Sequence, residues 1–130
     1  MSMKTSAVKP AGKDYYVLNG NKFWITNGPI CDTLVVYAKT DPTSMGGNSI
    51  SAFILDTKTE GFSATKIPGK MGMRGSDTGD LHFDNVKVPA KNILIGEGMG
   101  AFVLMRGLNS ERLLGAAMPI GIMQDEDLPI

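Results

Sequence analysis

The chain has 130 residues, with 13 Lys+Arg against 13 Asp+Glu, one His and one Cys. That is the length of one domain, and the balanced charge removes the long-range field that would gather nucleic acid or anionic lipid. Cys31 alone excludes an internal disulfide, one Cys with one His falls short of a zinc ligand set, and no apolar stretch reaches the roughly 20 residues needed to span a bilayer. The opening MSMKTSAVKP reads as neither a signal peptide nor an Arg-rich transit sequence, because no apolar core follows the lysine.

From Asp14 to Thr26 two aromatic and β-branched runs flank Asn19-Gly20, a pair suited to a type I′ turn, so the pattern predicts a β-hairpin. Alternation in its second arm puts Phe23 and Ile25 on a core face and Trp24 and Thr26 on the other. Asn27-Gly28-Pro29 ends that arm. Strands are predicted at Thr33 to Ala38 and Ser49 to Leu55, separated by a loop marked by Pro42 and Gly46-Gly47 and long enough to carry binding contacts. Further strands are predicted at Phe62 to Ile67, Asp80 to Phe83 and Asn85 to Val88. Such a series indicates a mainly β fold, an antiparallel sandwich or barrel. After Gly100 the spacing becomes helical, with Gly107 to Ser110 as a place where the helix could divide and Asn109 or Ser110 as a cap. The apolar stripe of that helix needs a covering partner, which predicts that the chain is part of something larger.

Four features invite a functional reading, each beside an ordinary one. Trp24 and Thr26 form either a half-buried sheet surface or a platform for a planar aromatic cofactor, with Thr26 and the backbone serving its ring nitrogens. KMGMRG, residues 70–75, lacks a phosphate-loop pattern and reads as a tight connection with close backbone approach, Arg74 pairing to a carboxylate. His82 reads as a half-exposed strand residue. Glu111 is either an acid favoured by a helix dipole or a neighbouring Arg106 or Arg112, or a carboxylate held in an apolar pocket as a general base.

Four segments, NGNKFWITNG, KMGMRGSDTGDLHFDNVKVPAKNIL, GEGMGAFVLM and LNSERLLGAAMPIGIMQ, resemble in order and spacing consecutive stretches of the acyl-CoA dehydrogenase family, its isovaleryl-CoA branch most closely. The resemblance runs from about Ser2 to Gln124 and implies a middle β-domain over residues 1–98, the first helix of a C-terminal helical domain over 99–124, and an atypical tail over 125–130. It implies FAD contacts at Trp24, Ile25 and Thr26, a catalytic base at Glu111, and acyl-CoA contacts at Phe102, Asn109, Ser110 and Arg112. Phe102 stands where the branch has Tyr.

The implied reaction is α,β-dehydrogenation of a short branched acyl-CoA in leucine catabolism, with an electron-transfer flavoprotein receiving the electrons. A homotetramer in the mitochondrial matrix of a eukaryote, or in the cytoplasm otherwise, comes with the same resemblance, while nucleic-acid, membrane and metal partners are not expected on the charge, hydropathy and Cys/His counts above. The family's acidic Gly-rich segment, which binds flavin and CoA, lies upstream of what this sequence matches. The chain alone is therefore expected to bind FAD weakly or not at all and to be inactive. Two other readings stand beside this one: a free-standing β-domain used for binding or assembly, and a related dehydrogenase of different chain-length preference.

Overall fold

A computed structural model of the chain describes residues 3–44 and 46–126. Six strands form one sheet in the order β4-β3-β1-β2-β6-β5: β1 (Ser6–Val8), β2 (Tyr15–Thr26), β3 (Thr33–Lys39), β4 (Ile50–Asp56), β5 (Phe62–Lys66) and β6 (Thr78–Pro89). The mainly β fold with a C-terminal helical segment is the one expected. The departure from antiparallel pairing is the β1/β3 joint, which is parallel, so the sheet is mixed.

The predicted hairpin does not form. β2 runs without a turn from Tyr15 to Thr26 and pairs along its length with β6. At Asn19-Gly20 the chain meets a bulge in β6, where Asp84 and Asn85 oppose one residue and Asn85 sits at φ 53°. The bulge shifts the inward parity of β6 from Leu81 and Phe83 to Val86 and Val88, which makes one strand read as two. Asn19 holds it: its Oδ1 accepts from the Asn85 backbone N–H at 2.8 Å and its Nδ2 donates to Asn85 Oδ1 at 3.3 Å.

The sheet curls over a core of Tyr16, Leu18, Val36, Ala38, Phe53, Leu55, Leu81, Phe83, Val86 and Val88. Tyr16 and Phe53, three strands apart in the order, pack with ring centroids 5.0 Å apart and ring planes tilted by 59°. Phe53 is fully buried, and truncating such a ring to Ala typically costs about 3–5 kcal/mol. Phe23, expected in the core beside Ile25, is 58% exposed, whereas Ile25 does pack on the core.

After β6 the chain crosses β4, bridging Phe53 to Ile93 and donating from Leu94 N–H to the Ala52 carbonyl at 2.8 Å. It then enters α1 (Gly100–Gly115) and α2 (Ala117–Glu126). The division expected at Gly107 to Ser110 falls instead at Ala116. Pro119 lacks an N–H and its ring clashes with the carbonyl four residues back, which is Gly115. α2 continues two residues into the stretch expected to leave the helix at Asp125, and residues 127–130 lie outside the described ones. No described helix is long and apolar enough to cross a membrane.

Candidate active site

Trp24-Ile25-Thr26 ends β2 at a second bulge, where the register with β6 slips between Lys22 and Ile25. The slip places Trp24 at φ 60°, a left-handed conformation that is an outlier for a bulky residue. It also breaks the expected alternation: Phe23 and Trp24 are both 58% exposed and meet edge to face, centroids 5.4 Å apart. The Thr26 side chain is exposed as well. β1 stops pairing with β2 at Asn19, and beyond Asn21 that edge of β2 has no strand partner among the described residues. A free indole face, a hydroxyl and an unpaired backbone edge thus stand together. This donor set fits a planar heteroaromatic ring with hydrogen-bonding nitrogens. Lys22, just before the bulge, has its ammonium pulled below the ordinary value by burial.

Thr26 lies opposite Thr78, and Asn27 N–H donates to the Asp77 carbonyl at 2.7 Å. This brings the Lys70 to Gly75 loop to the same end of the sheet. The loop curls around the Lys70 ammonium, which donates to the Met73 carbonyl at 2.8 Å, to the Ser76 carbonyl and to Thr78 Oγ1 at 3.1 Å. Arg74 does not pair with a carboxylate; its Nε donates to the Lys70 carbonyl at 3.0 Å. Close backbone approach is not why Gly72 and Gly75 are there, since a Cβ at either would meet open space. A cleft of about 240 Å³ beside this loop is lined by Lys66, Ile67, Pro68, Gly69, Lys70 and Arg74, and so includes two residues of the KMGMRG stretch but none of those expected to contact flavin or acyl-CoA. His82 is half exposed, with Nδ1 3.0 Å from Asn21 Oδ1 and Nε2 3.5 Å from Asp80 Oδ2, a cross-strand role.

Glu111 is exposed on α1. The half-buried residues of that helix include Leu104 and Leu108, which with Glu111 follow the i, i+4, i+7 spacing of one stripe. Glu111 therefore prolongs the sheet-facing stripe of α1, which packs on β4. Its charge reaches Tyr37 of β3: burial first, and then the Glu111 carboxylate, holds that phenol above its ordinary value. Tyr37 is the neighbour that the sequence reading missed. Phe102 is half a turn out of phase with Glu111 at about 3.6 residues per turn, so the two do not share a helix face. Asn109, Ser110 and Arg112 are exposed around it. The proposed flavin and acyl-CoA contacts thus occupy separate elements, β2 on one hand and α1 on the other.

The chain is similar to known proteins over most of its length. The acyl-CoA dehydrogenase middle domain matches residues 1–86. A mitochondrial 2-methylacyl-CoA dehydrogenase of Solanum tuberosum is 54% identical over 124 residues, covering 95% of this chain and 29% of that protein. A mitochondrial isovaleryl-CoA dehydrogenase of Arabidopsis thaliana is 55% identical over 124 residues, 95% of this chain and 30% of its own. Among solved structures, a glutaryl-coenzyme A dehydrogenase in complex with glutaryl-CoA superposes with a TM-score of 0.87 at 38% identity, over 95% of this chain and 30% of that one. One from Mycobacterium smegmatis, in complex with FADH2, gives 0.66 at 38% identity over 77% and 24%. The chain spans about three-tenths of the length of the curated relatives it matches. With a middle-domain match over residues 1–86 and more than half of its residues identical to such relatives across nearly its whole length, the chain belongs to the acyl-CoA dehydrogenase family.

Proposed function

We propose that the chain is the middle β-domain (residues 1–98) and first C-terminal-domain helix (99–124) of an FAD-dependent dehydrogenase that forms the α,β double bond of a short branched acyl-CoA. Isovaleryl-CoA in leucine catabolism is the substrate this reading favours. The observation that carries it is Trp24, an aromatic ring held at φ 60° with more than half its surface exposed beside the Thr26 hydroxyl. Backbone strain of this kind concentrates at functional sites. Trp24, Ile25 and Thr26 would hold FAD, which when bound supplies the acceptor for the hydride leaving the substrate Cβ.

Glu111 is the base in this reading. It takes the proton from the acyl α-carbon, and the electron pair of the broken C–H bond moves toward the thioester carbonyl, whose oxygen needs hydrogen-bond donors as charge develops. A thioester α-proton is too weakly acidic for a solvated carboxylate, so the base must lose its water when the acyl group seats. Glu111 is exposed in this chain; the substrate and the rest of the protein would supply the cover. Asn109, Ser110 and Arg112 offer polar and cationic groups to the CoA portion, and Phe102 an apolar surface.

The 130 residues alone are inactive on this reading. Leu113 at 78% and Ile120 at 49% exposure support a helix meant to be covered, against a self-sufficient binding module. An electron-transfer flavoprotein as electron acceptor, a homotetramer and, in a eukaryote, the mitochondrial matrix belong to the same proposal. Replacing Glu111→Gln in the full-length protein should abolish turnover while flavin stays bound; an unchanged rate refutes the assignment.

A further inference from the structure

The entry to α1 is held at three points within four residues, Glu97, Gly98 and Gly100. The Tyr16 hydroxyl of β2 donates to Glu97 Oε2 at 2.9 Å. Gly98 N–H donates to Ser51 Oγ of β4 at 2.9 Å, and Ser51 shares a 2.8 Å hydrogen bond with Thr40. Gly100 is buried against the β4 backbone, where a Cβ would stand 2.8 Å from the Ile50 carbonyl oxygen. Two of these contacts reach β4 alone. The first reaches across the sheet to β2, the strand that ends in Trp24-Ile25-Thr26. It joins an otherwise exposed acid to a phenol whose residue is only 4% exposed, and a surface Glu that merely solubilised its loop would need no such partner.

We propose that Tyr16 and Glu97 are positioning residues: their hydrogen bond ties β2 to the linker that enters α1 and so fixes where Glu111 stands relative to the Trp24 to Thr26 end of β2. This rests on the reading of Glu111 as base and of β2 as the flavin strand. The lever is long. Glu111 lies eleven residues past Gly100, about 16 Å along the axis at about 1.5 Å per residue. A turn of only about 4° at the entry therefore moves the carboxylate by about 1 Å, and a misplacement of that size costs up to about a hundredfold in rate.

The test uses the full-length FAD-loaded protein. Glu97→Ala and Tyr16→Phe should each lower kcat about tenfold to a hundredfold, with KM for isovaleryl-CoA and flavin content unchanged. Glu97→Gln, whose amide oxygen still accepts from the Tyr16 hydroxyl, should stay within about twofold. Amide hydrogen exchange over residues 97–104, read by mass spectrometry, should quicken in Glu97→Ala and not in Glu97→Gln. Glu97 is exposed, so its variants keep the test open even if Tyr16→Phe fails to fold. Unchanged kcat in Glu97→Ala overturns the proposal, with or without faster exchange, and so does a Gln variant as slow as the Ala one. Glu111→Gln separates the two readings: full activity there removes the base assignment, while the exchange data still report whether the tie holds the helix.

Discussion

Trp24 combines local strain with chemical exposure, and the two are separable by mutation. A left-handed conformation costs a bulky residue about 1–3 kcal/mol, whereas Asn adopts it readily. Trp24 is 58% exposed and its one aromatic partner is Phe23, so little packing is lost with the ring. Trp24→Asn should leave stability unchanged or raise it by up to about 1 kcal/mol in urea unfolding, yet abolish flavin retention in the full-length protein. Tyr16 gives a pH dependence of definite sign. Burial first, then the hydrogen bond and the charge of Glu97, push its phenol from 10.0 up to about 12. The folded state keeps the proton more tightly than the unfolded chain. The stabilisation is therefore complete below pH 10 and disappears as pH rises through about 12, a change of the order of 2 kcal/mol. Urea midpoints from pH 9 to 12 should fall steeply for the native sequence. In Tyr16→Phe the fall should be shallower, with Tyr37, whose phenol is also raised, still lowering stability as pH rises and Lys22, whose ammonium is depressed by burial, opposing it.

At the scale of elements, β3, β4, β5 and the start of α1 were legible because their patterns are local: a β-branched run, an alternating run, a change to helical spacing. β2 and β6 were not, because whether Asn19-Gly20 turns or continues depends on a partner strand about 60 residues away. Asn85 N–H, satisfied by Asn19, makes continuation the better solution. The same limit applied to the candidate site. Trp24-Ile25-Thr26 stood out as a motif, but the reversal of Trp24 belongs to the pairing of two strands. The change to helical spacing after Gly100 was readable, but the face was not: Phe102 and Met105 are exposed while Leu104 and Leu108 are half-buried, and Tyr37 as the neighbour of Glu111 belongs to another element. Gly20 tests this account of β2. It sits at φ 132°, and a Cβ there would lie 2.8 Å from Cα of the buried Thr5. A type I′ turn at the surface would also hold this residue at positive φ and cost Ala about 1–2 kcal/mol, but with no backbone against its Cβ. In the observed strand the clash with Thr5 adds to that strain, and Gly20→Ala should destabilise by about 2–5 kcal/mol in chemical unfolding.

At the scale of the whole molecule, a well-packed sheet carries a helical segment with little packed against it. Leu113 and Leu114 are 78% and 73% exposed, and Met118, Ile120, Ile122 and Met123 extend the apolar surface along α2. The 130-residue chain should therefore bind an apolar dye and self-associate at high concentration. Leu113→Gln with Leu114→Gln should weaken both, seen by fluorescence and light scattering, and move the unfolding free energy by less than about 0.5 kcal/mol per site. The sheet itself is joined at its middle by three residues. β1 pairs with β2 from Ser6 to Val8, but touches β3 only through Ser6 opposite Lys39 and a 2.9 Å bond from Lys39 N–H to the Thr5 carbonyl. Β-sheets are guarded against fibril growth chiefly by having few bare edges. Here a single short rivet, β1, hides two of them, so a cut between Val8 and Tyr15 that freed β1 would convert an ordinary folded domain into a template offering the flanks of β2 and β3 to other chains.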